Sequence, residues 1–212
     1  MREIVRHGYN AGVNHLAHLL LAEPTPESRV GNLAADFVQH REIAALTDGI
    51  RRGIKQHQQV DAFTDRHPAV QRGIRRLSER WGWFTGIILD VYFDHLLATT
   101  WESWCPVPMD QWAFEVNADL LSAAHLLPQG AADSVRHIAR MNRIVTYREL
   151  TGVEAALVRL THIIRQRMPQ RAVELVEAMP DLSANREWLE VDFAEFFPQL
   201  VAFSTDWASR AT

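Results

Sequence analysis

The stretch from Ile87 to Leu97 reads IILDVYFDHLL and is apolar on nearly every side of a helix. A helix that is hydrophobic all round is buried inside a protein. Asp90 and Asp94 nevertheless stand one helical turn apart in this stretch, and His95 follows directly. Buried carboxylates destabilise a fold unless a cation pairs with them. We therefore expect a positive partner against Asp90 and Asp94: either a metal ion, which we favour, or an arginine or protonated histidine.

The rest of the chain also reads as helix. Prolines punctuate the sequence, apolar residues recur at intervals of three and four between them, and the glycine and β-branched runs typical of hairpins are scarce. The pattern predicts an all-α, single compact multi-helix domain over residues 1–212, with residues 1–12 as a flexible extension. The predicted helices cover residues 12–23, 28–47, 50–65, 68–81, 84–104, 109–126, 132–146, 150–167, 169–178 and 182–208.

Proline and capping residues predict where some of these helices begin or break. After the break at Pro128, Asp133 or Ser134 is expected to cap the next helix. Pro169 fits the first turn of a helix, where its missing N–H is harmless. Pro198 is expected to kink or interrupt the last helix.

Composition limits the classes of function. The net charge of -4 argues against broad nucleic-acid binding driven by a positive field. Cys105 is the only cysteine, so an intrachain disulfide is impossible. No apolar run is long enough to cross a bilayer, and residues 1–12 lack the apolar core of a signal peptide. We expect a cytoplasmic protein that binds neither nucleic acid nor membrane; the sequence predicts no oligomeric state.

A second group of polar residues lies at helical spacing. His57, Asp61 and Asp65 are separated by four residues each, so a helix stacks them along one face. A strip of one imidazole and two carboxylates suits a divalent cation, which takes oxygen and nitrogen ligands. A solvated polar face explains the same spacing equally well, and the segment alone leaves both interpretations open.

Two earlier segments carry single polar residues in apolar surroundings. Asp36 stands within the run Leu33–Val38, while Gly31 allows a close backbone approach and Asn32 either caps or holds a neighbouring ligand. An ordinary buried aspartate bonded to backbone amides is the alternative for Asp36. His18 lies on an apolar helix, where a lone histidine is more often a core residue than a ligand. Its assignment as a ligand therefore depends on the other segments.

Together the four segments resemble the acyl carrier protein phosphodiesterase family, in both the order and the intervals of the motifs. They read Asn14-x-Leu16-Ala17-His18-Leu19, Gly31-Asn32-Leu33-x-Ala35-Asp36-Phe37, His57-x-x-Val60-Asp61-x-x-Thr64-Asp65 and Leu89-Asp90-x-x-x-Asp94-His95-x-Leu97. The family is similar to the HD superfamily of helical, metal-dependent phosphohydrolases. Its members remove the 4′-phosphopantetheine arm from holo-acyl carrier protein, usually with manganese.

The resemblance implies a divalent metal, Mn²⁺ first among the candidates, and an HD-domain-like fold. The metal ligands that it implies are His18, Asp36, His57, Asp61, Asp90, Asp94 and His95. Asp36 and Asp65 are the candidates for the catalytic base, Asn32 is grouped with them as catalytic, and Arg51 and Arg52 are expected to bind the phosphate. The chain departs from the family pattern at Gln58, where the family often has arginine, and at His15, where an apolar residue is expected.

The expected partners are an acidic acyl carrier protein and its 4′-phosphopantetheine. An arginine stripe could steer the acidic partner, although a solvated helix face explains it as well; it comprises Arg72, Arg75, Arg76 and Arg80. Two other functions stay open. One is an HD-like phosphohydrolase acting on a nucleotide or another small phosphodiester. The other is a non-catalytic helical binding module whose Asp and His residues form structural ion pairs.

Overall fold

The computed structural model describes residues 15–170 and 173–210, and within these ranges the chain is helical and contains no strand. The described residues form ten successive α-helices: α1 (His15–Leu21), α2 (Pro26–Ala34), α3 (Asp48–Arg66), α4 (Pro68–Trp81), α5 (Thr85–Thr99), α6 (Met109–Ala123), α7 (Gln129–Arg140), α8 (Leu150–Arg167), α9 (Met179–Ala184) and α10 (Arg186–Arg210). Short 3₁₀ segments cover His40–Ala45, Gly82–Phe84, Trp101–Ser103, Ala124–Leu126, Arg143–Arg148 and Leu175–Ala178. The predicted all-α class is confirmed.

Helix α5 runs through the core, as its apolar sequence predicts. Ile88, Leu89, Val91 and Leu97 are fully or almost fully buried. The helix packs against α1, α4, α8 and α10. The burial of the apolar residues around it holds Asp94 completely inside the protein, whereas Asp90 is partly buried.

Helices α2 and α3 approach each other unusually closely, and glycine makes this possible. A Cβ atom on Gly31 would lie 2.4 Å from the carbonyl oxygen of Ile50, and one on Gly53 would lie 2.5 Å from that of Ser28. Neither backbone atom can move aside without breaking its helix. The close contact brings the end of α2, and with it Asp36, to the side of α3.

Several predicted helix boundaries are wrong. The helix expected over 28–47 ends at Ala34, and a separate 3₁₀ segment follows at His40, where a capping box fixes the start of a new turn. The helix expected over 132–146 ends at Arg140, because Asn142 adopts the left-handed conformation, with φ 45°. The span 182–208 is divided at Asn185, and 169–178 is not an α-helix where it is described.

The capping predictions also fail in detail. Helix α7 begins at Gln129, directly after Pro128, so Asp133 and Ser134 lie inside the helix rather than before it. Pro169 lies beyond the end of α8. Pro198 does not interrupt α10, which runs from Arg186 to Arg210, because packing of its aromatic residues against the core outweighs the loss of one backbone hydrogen bond.

The predicted extension, residues 1–12, and the motif residue Asn14 lie outside the described residues. Among the described helices, none is both long enough and apolar enough to pass through a bilayer.

Candidate metal centre

Two histidines and an aspartate from separate parts of the chain converge at one point. His18 Nε2 lies 3.1 Å from one carboxylate oxygen of Asp61, and His57 Nε2 lies 3.2 Å from the other. The two imidazole rings stack, with centroids 3.8 Å apart and planes 18° apart. One donor atom from each of the three residues lies within 4.8 Å of the other two. Among the described residues, this is the one group of three or more potential ligands that is so close together.

Two helices position these side chains. His18 comes from α1, whereas His57 and Asp61 lie one turn apart on α3 and therefore face the same direction. Asp36 lies in the turn that follows α2, and its Oδ1 is 3.4 Å from His57 Nε2. The Asp36 side chain is only 5% exposed. The α2–α3 contact thus adds a second, nearly buried carboxylate to the group.

The charges in the group are strongly coupled. Burial alone would lower the pKa of His57, but Asp36 and Asp61 outweigh it and raise that pKa to about 10. Burial and the neighbouring His57 lower the pKa of His18. Burial opposes ionisation of Asp61, yet hydrogen bonds from His18 and His57 hold its pKa well below the usual range. Without a metal, these interactions favour a protonated His57 paired with the Asp61 carboxylate.

Further carboxylates surround this ion pair. Burial raises the pKa of Asp90 well above its ordinary value, and the charges of Asp61 and Asp65 raise it further, followed by those of Asp94 and Asp36. Four other carboxyl groups, from three regions of the chain, therefore act electrostatically on Asp90. A cluster of carboxyl groups of this kind favours binding of a cation.

The residues present fit a divalent cation. Two imidazole nitrogens and carboxylate oxygens form the donor set that such ions prefer. The separations of 3.1 to 3.4 Å between donor atoms are close to the distance of about 3 Å expected between neighbouring ligands at a metal–ligand bond length of about 2.1 Å. His18, His57 and Asp61 are the residues that could hold the ion, with Asp36 beside them.

Asp94 does not join this group. Its two oxygens accept backbone hydrogen bonds from Leu16 at 3.0 Å and Ala17 at 3.1 Å, and the side chain is completely buried. Burial raises the pKa of Asp94 to about 7, although the two hydrogen bonds lower it in part. The carboxylate therefore fixes the start of α1, the helix that carries His18.

A family comparison adds to this geometry. A protein family model described as acyl carrier protein phosphodiesterase matches residues 13–200 of the chain. The chain belongs to this family. The prediction of the family is confirmed, and with it the prediction that the chain belongs to a family of phosphoric diester hydrolases.

Individual relatives agree with the family model. A protein named acyl carrier protein phosphodiesterase from Serratia proteamaculans is 29% identical over 92% of this chain and 98% of its own length. Proteins of the same name from Pectobacterium atrosepticum and Escherichia coli O6:H1 are 28% and 27% identical over 89% of this chain and 96% of their own lengths. No solved structure shows a significant match to the chain.

Two further residues singled out by the family resemblance serve contacts between helices. His95 Nδ1 lies 2.8 Å from the carbonyl oxygen of Tyr147, which joins α5 to the 3₁₀ segment Arg143–Arg148. Asn32 is fully buried and donates hydrogen bonds to the Ser28 carbonyl and to Gln56 Oε1, both at 3.1 Å. The structure thus places both side chains in hydrogen bonds that connect elements of the fold.

The arginines expected to contact phosphate are engaged elsewhere. Arg51 bonds to Asp48 and to backbone carbonyls, and Arg52 pairs with Glu23 through both carboxylate oxygens. The stripe proposed to steer an acidic partner is also largely neutralised by acids of the same chain. Its ion pairs are Arg72 with Asp192 and Glu195, Arg76 with Asp192, and Arg80 with Glu177 and Asp181. Three of the four arginines of the stripe thus already have acidic partners, whereas Arg75 is exposed and has none among the ion pairs of the described residues.

His15 is a site residue that sequence reasoning left unassigned. It is buried, its ring centroid lies 6.4 Å from that of Phe37, and burial lowers its pKa to about 4 despite the nearby Asp36. His18 and His57 also act on it electrostatically. The sequence signal for His15 was that a histidine stands where the family is expected to have an apolar residue.

Proposed function

We propose that this chain hydrolyses the phosphodiester that joins 4′-phosphopantetheine to a serine of holo-acyl carrier protein. A water oxygen forms a bond to phosphorus, the bond from phosphorus to the serine oxygen breaks, and the serine oxygen takes up a proton. The products are apo-acyl carrier protein and 4′-phosphopantetheine. The observation that carries the proposal is the convergence of His18, His57 and Asp61 in a member of this family.

His18, His57 and Asp61 would hold a divalent metal, for which the family resemblance favours Mn²⁺. A bound divalent cation supplies Lewis acidity, which polarises a phosphoryl oxygen and makes a water molecule a stronger acid. Asp36 is the residue to accept the proton of the attacking water. It is favoured over Asp65 because its Oδ1 lies 3.4 Å from His57 Nε2, beside the expected ion. The stacked, buried imidazoles keep bulk water away from this side of the group.

The direct test is to incubate the purified protein with Mn²⁺ and holo-acyl carrier protein, and to follow the carrier protein by mass spectrometry. We expect loss of the phosphopantetheine mass, which stops on chelation and resumes when Mn²⁺ is restored. Asp61→Asn should lose metal and activity together, because Asp61 bridges both imidazoles. Asp133→Asn, an exposed aspartate on α7, is the matched control and should retain both.

Two other outcomes would replace the proposal. Hydrolysis of members of a nucleotide panel, with no action on holo-acyl carrier protein, would assign the site to a small phosphodiester. Failure to bind any divalent metal would favour a non-catalytic helical module, in which protonated His57 and its carboxylates form a structural ion pair.

A further inference from the structure

A groove of about 350 Å³ lies where the end of α3 and the start of α4 meet α10. This volume is typical of small-molecule sites. The side chains that border the groove include two phenylalanines, a histidine, an arginine and two glutamines: Phe63, Phe203, His67, Arg66, Gln59 and Gln199. None of these belongs to the candidate metal centre, so the groove is a separate feature with the size of a binding site.

Aromatic rings form the apolar wall of this groove. The rings of Phe63 and Phe203 stack, with centroids 4.6 Å apart and planes 23° apart. The His67 ring extends the wall, since its centroid lies 5.6 Å from that of Phe63 and 5.2 Å from that of Phe196. Phe63 and Phe203 are each half-buried, so neither ring is fully covered by the core. A wall of this kind suits an apolar chain or a flat ring.

His67 uses one ring nitrogen for the fold and has the other available. Its Nδ1 accepts the backbone N–H of Ala69 at 3.2 Å and so caps the start of α4. A ring nitrogen that accepts carries no proton, so the proton of the imidazole is on Nε2. Within the described residues Nε2 has no hydrogen-bond partner, although His67 is only 6% exposed. Because His67 borders the groove, a molecule bound there can accept the hydrogen bond that Nε2–H has to give.

Arg66 places a positive charge next to this donor. Its side chain is exposed, and no carboxylate of residues 15–170 and 173–210 forms an ion pair with it. The other arginines of α3 differ in this respect, because Arg51 pairs with Asp48 and Arg52 with Glu23. Arg66 and His67 border the same groove, which therefore offers one cation and one neutral N–H donor to a bound molecule.

The groove lies on the side of α3 away from the candidate metal centre. His57 and Asp61 share one face of this helix, since they are four residues apart. The period of 3.6 residues per turn places Phe63 and Arg66 on roughly the opposite face. A molecule in the groove would therefore be separated from the expected ion by α3 itself, and the site is independent of the proposed function.

We propose that this groove binds a small organic acid, a monocarboxylate carried on an apolar chain or ring. The carboxylate pairs with the Arg66 guanidinium and accepts the N–H of His67 Nε2, while the apolar part lies against Phe63 and Phe203. Charge selects this class of ligand. A neutral apolar molecule would leave the cation and the donor without a partner, and a phosphate dianion would meet only one positive charge.

Octanoate is the probe for an apolar chain and naphthoate the probe for a ring, each added to the isotope-labelled full chain and followed by NMR. We expect saturable chemical-shift changes at the groove, with nuclear Overhauser contacts from the probe to the rings of Phe63 and Phe203. The tighter probe identifies the preferred apolar part. Octanamide lacks the charge and acetate lacks the apolar part, so each should bind at least about tenfold more weakly than octanoate. Equal affinity for octanoate and octanamide would overturn the proposal.

Two substitutions test the polar end of the site. Arg66→Gln should weaken octanoate binding about tenfold or more, because it removes the charge-assisted hydrogen bonds. Arg75→Gln is the matched control, an exposed arginine of α4 that does not border the groove, and should bind octanoate as the unmodified protein does. His67→Asn keeps a side chain that can cap α4 but removes the Nε2–H donor, and should also bind more weakly.

The NMR contacts in the unmodified protein decide the matter even if a variant fails to fold. Shift changes that are scattered over the surface and do not saturate would show that no site exists at the groove. Equal octanoate affinity of Arg66→Gln and Arg75→Gln would show that the guanidinium does not hold the carboxylate, and the proposal would be wrong. Neither result bears on hydrolysis of holo-acyl carrier protein, which is measured separately.

Discussion

Replacing Asp94 with alanine should destabilise this protein even when no metal is bound. The carboxylate is completely buried and accepts the backbone N–H groups of Leu16 and Ala17 at 3.0 and 3.1 Å. Alanine leaves both donors without an acceptor at the first turn of α1. Each unsatisfied buried donor costs about 1–3 kcal/mol, so the free energy of unfolding should fall by about 2–6 kcal/mol.

The stability lost in Asp94→Ala should depend on pH. Because the pKa of Asp94 is raised from 3.8 to about 7, the folded state keeps a proton that the unfolded state has already released. The stability contributed by Asp94 is therefore greatest at low pH and decreases as pH rises towards 7. The difference between unmodified protein and Asp94→Ala should be larger at pH 5 than at pH 8. Asp94→Asn keeps one acceptor oxygen and should lose about half as much.

Urea unfolding in the presence of a chelator measures this effect. A loss of 2–6 kcal/mol corresponds to a midpoint about 1–3 M lower, taking a slope of about 2 kcal/mol per M. Asp90→Asn is the control on the same helix. Its carboxyl is held neutral by burial and neighbouring charges, so the amide removes no charge and the midpoint should not fall. If Asp94→Ala loses metal but unfolds at the same urea concentration as the unmodified protein, Asp94 is a ligand rather than the anchor of α1.

Other consequences follow from the coupled charges and from the α2–α3 contact. Mn²⁺ binding at pH 8 should release about one proton, measured in weakly buffered solution, because the pKa of His57 is about 10 and its Nε2 must lose a proton to bind the ion; no release would contradict metal binding at His57. Gly53→Ala should lower the free energy of unfolding by about 1–3 kcal/mol or more, since its Cβ would lie 2.5 Å from the Ser28 carbonyl oxygen. Gly86→Ala, which meets nothing within 4 Å, should leave thermal stability unchanged or raise it slightly. Equal stability of the two alanine variants would show that α2 and α3 can separate.

Local periodicity was enough to predict much of this molecule. The apolar run from Ile87 to Leu97 predicted a buried helix, and α5 is one. The four-residue interval between His57 and Asp61 predicted a shared face, and His57 Nε2 lies 3.2 Å from Asp61 Oδ2. Helix ends were harder, because they depend on single residues such as Asn142, whose left-handed conformation cannot be read from periodicity.

Asp94 meets a partner that the sequence did not suggest. Its burial requires a positive group, and the sequence suggests a metal ion, an arginine or a protonated histidine. The group that the structure places against it is the start of α1, where N–H groups without an intrahelical acceptor carry partial positive charge. Every segment has backbone amides, so the sequence does not indicate which of them will donate to a particular carboxylate. Hydrogen bonds from backbone amides were also an alternative for Asp36, but Asp36 Oδ1 lies 3.4 Å from His57 Nε2.

The arginines show why charge along a sequence does not predict a binding site. Arg52 lies five residues before His57 in the sequence, yet its guanidinium binds Glu23, and Arg72 binds Asp192, which is 120 residues away. An arginine is available to a ligand only if the fold has brought no acid against it, and this depends on contacts between distant segments.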